Sequence, residues 1–405
     1  MDYEKDNIKR LTEYIKKGET AESDCCLGLE VEHIIVHSDT KKAVTYYEEN
    51  GIAHILRRMN EMLPGSVLDD NASPLSLRTD NYYITLEPAA QLEISIEPFF
   101  DLYRIREIYR SFRKVLDCIC DEYGFEVTTY GYQPADRVAD LPLIPKKRYE
   151  FMDKYFAGKG NGGIQMMRGT ASAQVSIDYT SEEDLIRKVQ FAYMLTPMLM
   201  LLSDNTPVFE GKKNPQKLRR YDVWSRVDPD RCGIIPGLFD GDFSYKKYAE
   251  YLMSVPLIYV PGNDDDIYTG GKTASEFYAG KEIDDKDIGH IMSMVFPDVR
   301  IKNFIEIRGA DSMPEPELFA YLAFIKGLFL NDFLIDHAVS FIRSAHLNGE
   351  DFIKTTKSLA RHGWDGSFYG NPADEYLKLA LDAASKYLSD EDLVLLKPLY
   401  NKIWK

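Results

Sequence analysis

Acidic residues recur at alternate positions in three strand-like runs: Glu30 and Glu32 in GLEVEHIIV (28–36), Glu87 and Glu93 in ITLEPAAQLEISIEP (84–98), and Glu306 in FIEIRGAD (304–311). A strand turns successive side chains to opposite faces. Gln91, Glu93, Ser95 and Glu97 therefore share one face while Leu92, Ile94 and Ile96 share the other, and Glu30 and Glu32 point one way while Leu29 and Val31 point the other. In the last run Phe304, Glu306 and Arg308 lie on one side, which sets a guanidinium beside a carboxylate. Carboxylates are poor strand formers and repel one another across a sheet unless something cationic lies between them. A face built from several Glu and no Cys suits a hard divalent cation such as Mg²⁺ shared with phosphate oxygens, which makes ATP the expected guest. For any one strand, acids turned to solvent on an open antiparallel sheet are the simpler reading; three strands repeating the pattern favour a shared site.

The elements that must hold these strands follow from hydrophobic periodicity. Helices are expected over 2–17, 52–62, 105–123 and 148–156, and from the capping sequence at Ser181 through Leu202. Short strands are expected at 67–68, 75–78, 82–86 and 125–132, and another from Thr170 that turns Ser172, Gln174, Ser176 and Asp178 to one face. Further helices are expected at 246–253, 273–278 and 284–295, with a short strand at 257–260, and Pro314 opens a helical run to Lys405. The fold class is α+β: a mainly antiparallel sheet with surrounding helices and a helical tail, divided as residues 1–330 (catalytic unit) and 331–405 (C-terminal helical segment packed on the same domain).

Two stretches stay open. Residues 134–169, rich in Pro and Gly, read as a connector in preference to a phosphate loop, because no P-loop Lys-Ser/Thr ending and no dinucleotide fingerprint is present. Between Glu210 and Arg231 the charge turns basic, with Lys212, Lys213, Lys217, Arg219, Arg220, Arg226 and Arg231; a solvated loop and an anion subsite are equally good accounts. His33 falls on the face opposite Glu30 and Glu32, so packing is expected of it, and Trp224 with the many tyrosines is expected in the core.

Composition removes whole classes of function. A formal charge of −16 argues against a nonspecific nucleic-acid binder. The longest apolar approach, 191–202, is too short to span a bilayer and contains Pro197, so no membrane role is expected. MDYEKDNIKR has no signal-peptide character, and five cysteines make neither a disulfide framework nor a zinc site, which points to the cytoplasm. No Ser-His-Asp or Cys-His arrangement signals a covalent nucleophile.

GLEVEH at Gly28, ITLEPAAQLEISIEP at Ile84, MMRGTASAQVSIDYTSEEDLIRK at Met166, VWSRVDPDR at Val223 and FIEIRGAD at Phe304 together resemble the glutamate–cysteine ligases of plant and bacterial type, in the right order over 24–330. The resemblance implies the glutamine synthetase-like catalytic fold, a curved antiparallel sheet forming a funnel. It also implies ATP-dependent ligation of the glutamate γ-carboxyl to cysteine through a γ-glutamyl phosphate, the first step of glutathione biosynthesis. On the matching positions it makes Glu30, Glu32, Glu87 or Glu93, and Glu306 the metal ligands, with Gln174 on the same face as a ligand or a substrate-orienting group. It sets Arg308 beside the transferring phosphate and offers Arg168 and Arg226 for the glutamate carboxylate or the nucleotide phosphates. Mg²⁺ and ATP would be required, glutamate, cysteine and ATP would be the partners, and the chain would act as a monomer or homodimer. The relatives carry a Gly pair where this chain has Ala89 and Ala90, and more Thr and Cys at 169–172, departures that bear on the acceptor. A γ-glutamyl ligase with another amine acceptor and a non-catalytic ATP-binding relative are the alternatives.

Overall fold

The strand at the centre alternates buried Leu27, Leu29 and Val31 with half-buried Gly28, Glu30 and Glu32, and from His33 to Val36 every residue is buried. That switch marks where the strand leaves an open face and enters a part of the molecule covered on both sides. The computed structural model, which describes residues 3–262 and 266–403, builds one antiparallel sheet from nine strands. They are β1 (Leu27–His37), β2 (Val67–Leu68), β3 (Ser76–Arg78), β4 (Tyr82–Leu86), β5 (Leu92–Phe99), β6 (Phe125–Thr128), β7 (Ser172–Ile177), β8 (Val299–Ile301) and β9 (Ile305–Asp311). The order is β8-β9-β7-β1-β5-β4-β3-β2, and β6 pairs with the second half of β1. All these pairings are antiparallel, as the strand patterns predict.

Register follows from the core: β5 must turn Leu92, Ile94 and Ile96 inward, so a one-residue slip would bury Glu93 and Ser95 instead. The inward face is covered by two long helices. Leu102–Glu122 is capped by Asp101, whose side chain accepts from the backbone N–H of Tyr103 and Arg104, and it packs on β5 and β6. Glu182–Ser203 is capped by Ser181, carries three acids in its first turn where they favour the helix dipole, and packs on β9 and β8. By length and composition this helix could cross a membrane, further than the sequence reading of 191–202 allowed, but nearly all of it is buried inside the protein. Each fully buried Leu, Ile or Phe along it contributes roughly 1.5–3 kcal/mol.

One large hydrophobic core draws on residues from Leu11 to Leu399, and Ile34, Val36 and Ala171 form a small separate cluster. Helices Asp332–Ser344 and Gly349–His362 lie on Glu182–Ser203, while Glu315–Phe329 packs against Ala373–Ser385 and Lys397–Ile403. A buried Lys326–Asp392 ion pair at 2.8 Å ties the same helix to Asp390–Leu395. Residue 2 of the expected first helix and residues 404–405 of the expected tail lie outside the described residues.

The Gly-rich connector differs most from expectation, because it contains a second helix, Gly163–Gly169. Its glycines serve close packing. A Cβ on Gly163 would sit 2.4 Å from Cβ of Phe156, and one on Gly169 would sit 2.4 Å from the Tyr132 ring.

Candidate active site

The sheet gathers the acids by register. Glu32 lies opposite Glu93 on β5, while Glu30 lies opposite Gln174 on β7 and opposite Ser95 on β5. Glu87 joins them from the turn between β4 and β5, which is closed by Glu87 N–H to Gln91 O and Ala90 N–H to Glu87 O, both 2.9 Å. Ala90 in that turn has φ +69°, a left-handed conformation that favours glycine. Glu30, Glu32, Glu87, Gln91, Glu93 and Gln174 line one cavity of about 270 Å³. Arg148, Arg220, Arg300, Lys302 and Arg308 line the same space, with Met152, Met166, Met167, Tyr149, Trp224, Tyr259 and Phe296 as its less polar walls.

Two electrostatic environments share this cavity. Burial, and then the charge of Glu306, raises the pKa of Glu30. Burial and the neighbouring Glu87 push Glu32 up to about 7, although its carboxylate accepts the Ser172 backbone N–H at 2.7 Å. Burial with Glu30, Glu87 and Glu32 drives Glu93 well above the carboxylate range, against one hydrogen bond from Thr85 at 3.0 Å. Among the described residues none of these carboxylates forms an ion pair, although Lys302, Arg300 and Arg308 act on Glu30 and Arg220 acts on Glu32 from further away.

Glu306 is the reverse. Burial alone would raise its pKa, but Arg300, Arg308 and Lys302 together hold it well below the usual value. Its oxygens accept from Arg300 Nε at 2.7 Å and Nη2 at 3.0 Å, from Lys302 Nζ at 2.9 Å and from Arg308 Nη1 at 2.7 Å. Glu306, expected as a metal ligand, has no exposed surface and is paired in this structure with Arg300, Lys302 and Arg308. Arg308 Nη1 also donates to Oε1 of Gln174 at 2.5 Å, so the amide expected as a ligand or a substrate-orienting group contacts Arg308 while lining the cavity.

Two expected anion-binding residues lie elsewhere. Arg168 ends the helix Gly163–Gly169, pairs with Asp153 at 2.6 Å and donates to Leu141 O at 2.8 Å. Arg226 donates to Asn161 at 2.5 Å and to Gln165 at 3.1 Å and pairs with Asp222 at 3.1 Å. Neither lines the acidic cavity; Arg168 ties parts of the Gly-rich segment to each other, and Arg226 ties that segment to the helix Arg219–Trp224 and its end. The basic run contributes Arg220 in their place, whose Nη1 donates to Arg308 O at 3.0 Å, while Arg231 is fully buried and held by Asp228, Tyr155, Met294 O and Pro256 O. Trp224, expected in the core, forms a wall of the cavity.

Arg300 on β8 and Lys302 just past its end were legible as an i, i+2 pair on the hairpin leading to Glu306, and Arg300 sits directly opposite Glu306 in the register. Arg148 had no such signal, since it comes from the helix Lys147–Ala157, far off in sequence. His33 packs as expected on the face away from the acids: its Nε2 bonds the Tyr109 hydroxyl at 2.9 Å, and burial lowers its pKa to about 3. All five cysteines are free.

Three of the buried donors without acceptors among the described residues line this cavity: Arg148 Nε, Arg220 Nε and Trp224 Nε1. Unpaired donors of this kind call for an anionic or carbonyl-bearing ligand. Among the described residues no three acid, His or Cys side chains form a ready metal cluster. The donor set nevertheless fits a hard divalent cation, being all oxygen and holding carboxylates that burial and mutual repulsion push toward protonation.

A family model described as glutamate–cysteine ligase family 2 matches residues 26–385. The chain belongs to this family. Among curated glutamate–cysteine ligases, the chloroplastic protein of Arabidopsis thaliana is 28% identical over 97% of this chain and 80% of its own length. The A form of Oryza sativa subsp. indica is 30% identical over 80% of this chain and 66% of its own length. A crystal structure of the glutamate–cysteine ligase of Francisella tularensis in complex with AMP superposes with a TM-score of 0.52 at 13% identity, covering 94% of this chain and 82% of that one. That likeness places the sheet and its helices in the fold of glutamate–cysteine ligases.

Proposed function

We propose that the protein joins the γ-carboxyl of glutamate to the amine of cysteine with hydrolysis of ATP to ADP and phosphate, through a γ-glutamyl phosphate. The observation that carries this reading is one cavity with a wall of unneutralised carboxylates facing a wall of guanidinium and ammonium groups. A carboxylate attacking a triphosphate brings negative charge onto negative charge, so the site's main tasks are neutralisation and alignment. Glu30, Glu32, Glu87 and Glu93 would hold Mg²⁺, which when bound neutralises the phosphate oxygens of the nucleotide.

The remaining work falls to this chain's own side chains. Arg308, fixed by Glu306 and Gln174, presents a planar and permanently charged fork to the phosphoryl group in transfer. Arg148 and Arg220, each with a buried N–H lacking an acceptor, bind the anionic ends of the substrates. Met152, Met166, Met167 and Tyr149 keep bulk water from the acyl phosphate before the amine arrives. Glu306 positions Arg308 and is not assigned to the metal.

The test is phosphate release from ATP and Mg²⁺ with glutamate, with and without cysteine. Release that requires glutamate and rises strongly with cysteine supports the proposal. Release without glutamate overturns it, and a larger stimulation by another amine reassigns the acceptor.

A further inference from the structure

A second cavity, of about 510 Å³, lies between the helices Glu182–Ser203 and Gly349–His362 and shares only Trp224 with the acidic one. Its walls include the aromatic rings of Tyr193, Tyr221, Trp224 and Phe352, together with Ile353. Asp228, Asp298 and Glu350 also line it, and among the described residues no Lys, Arg or His does. Asp228 is already committed to Arg231 at 2.8 Å, and Glu350 sits in the first turn of its helix, largely in solvent.

Asp298 is different. Its backbone is anchored at both ends, N–H to Gly233 O at 2.8 Å and O to the Arg308 N–H at 3.1 Å, while its carboxylate has no hydrogen-bond donor among the described residues. Burial raises its pKa to about 6, against the more distant charges of Arg220 and Arg308. A half-buried carboxylate without a donor, in a space walled by aromatic residues and with no basic side chain in its lining among the described residues, is open to a cation. Aromatic faces add to the attraction of a cation brought within about 6 Å of the ring centre.

We propose that this cavity is a binding site for a small organic cation with an apolar body, such as a quaternary or hydrophobic ammonium, with Asp298 as counter-ion and Tyr193, Tyr221, Trp224 and Phe352 as walls. Because Trp224 also lines the acidic cavity and Asp298 is bonded to the backbone of Arg308, an occupant sits one residue away from the proposed ligation chemistry.

The experiment is calorimetric titration of the full chain with benzyltrimethylammonium, which has no N–H and so cannot act as an amine acceptor. Benzyl alcohol is the neutral control and phenylacetate the anionic one. The cation is expected to bind at least tenfold more tightly than the alcohol. Asp298→Asn is expected to weaken it at least tenfold, about 1.4 kcal/mol. Ile353→Trp, which fills the cavity, is expected to abolish binding with Tm and basal phosphate release unchanged.

No binding up to the solubility limit, equal affinity for cation and alcohol, or binding that survives both substitutions would overturn the proposal. So would an Asp298→Asn protein whose only defect is in turnover, since Asp298 would then act solely as a counter-charge for Arg220 and Arg308.

Discussion

Glu306 and the group Glu30, Glu32 and Glu93 are the same residue type, delivered to the same face of one sheet, yet they meet opposite fates. Glu306 is enclosed by Arg300, Lys302 and Arg308 and is held firmly ionised. The other three face one another, with Glu87 beside them, and are pushed toward protonation. The difference teaches that one half of the site is charge-balanced within the chain itself, whereas in the other half the fold holds like charges together.

The largest expected effect comes from breaking the balanced half. Glu306→Gln leaves three cations without their counter-charge and should cost about 3–5 kcal/mol of stability in urea unfolding. The same change should lower kcat by about 100-fold or more, because Arg308 loses its anchor. Full stability in this variant would erase the distinction between the two halves.

Glu93→Gln acts on the other half and should have the opposite sign on stability. The metal-free protein is expected to gain in Tm as repulsion falls, while Mg²⁺ affinity drops by about 10- to 100-fold, read by Mg²⁺-dependent thermal shift. A loss of Tm without metal would mean that the acids are already balanced.

Titration sharpens the comparison further. Glu32 has its folded pKa raised from 4.5 to about 7, so the folded state binds the proton more tightly than the unfolded one. Its contribution to stability is therefore full below the unfolded pKa and is lost as pH rises through about 7. Metal-free Tm should decline over that window, and Mg²⁺ should reverse the decline increasingly as protons leave the site. Melting curves across the window that are flat with and without Mg²⁺ would contradict this.

The smallest effect belongs to the turn that carries Glu87. Ala90→Gly relieves a left-handed alanine at φ +69° but frees the unfolded chain, so the net change in stability should stay within about 1 kcal/mol. Chemical denaturation would detect anything larger.

Much of this was legible in the sequence because strand alternation is a local property. The face shared by Glu30 and Glu32, the opposite face taken by His33, and the alternation of Arg300, Lys302, Glu306 and Arg308 all follow from counting by two. Arg168 and Arg226 stand in matching motifs yet lie off the acidic cavity, because their partners, Asp153 and Asn161, come from a segment read as a connector. Arg148 was missed for the same reason.

By itself the sequence determined which side chains share a strand face, which residues end the helices, and that the acids outnumber any local source of positive charge. Only the tertiary structure decided which acids keep a cation, because that depends on register between strands distant in the chain and on which helix delivers a guanidinium to the gap. Charge interactions fall off over a few ångströms, and contacts at that range are set by packing and not by position along the chain.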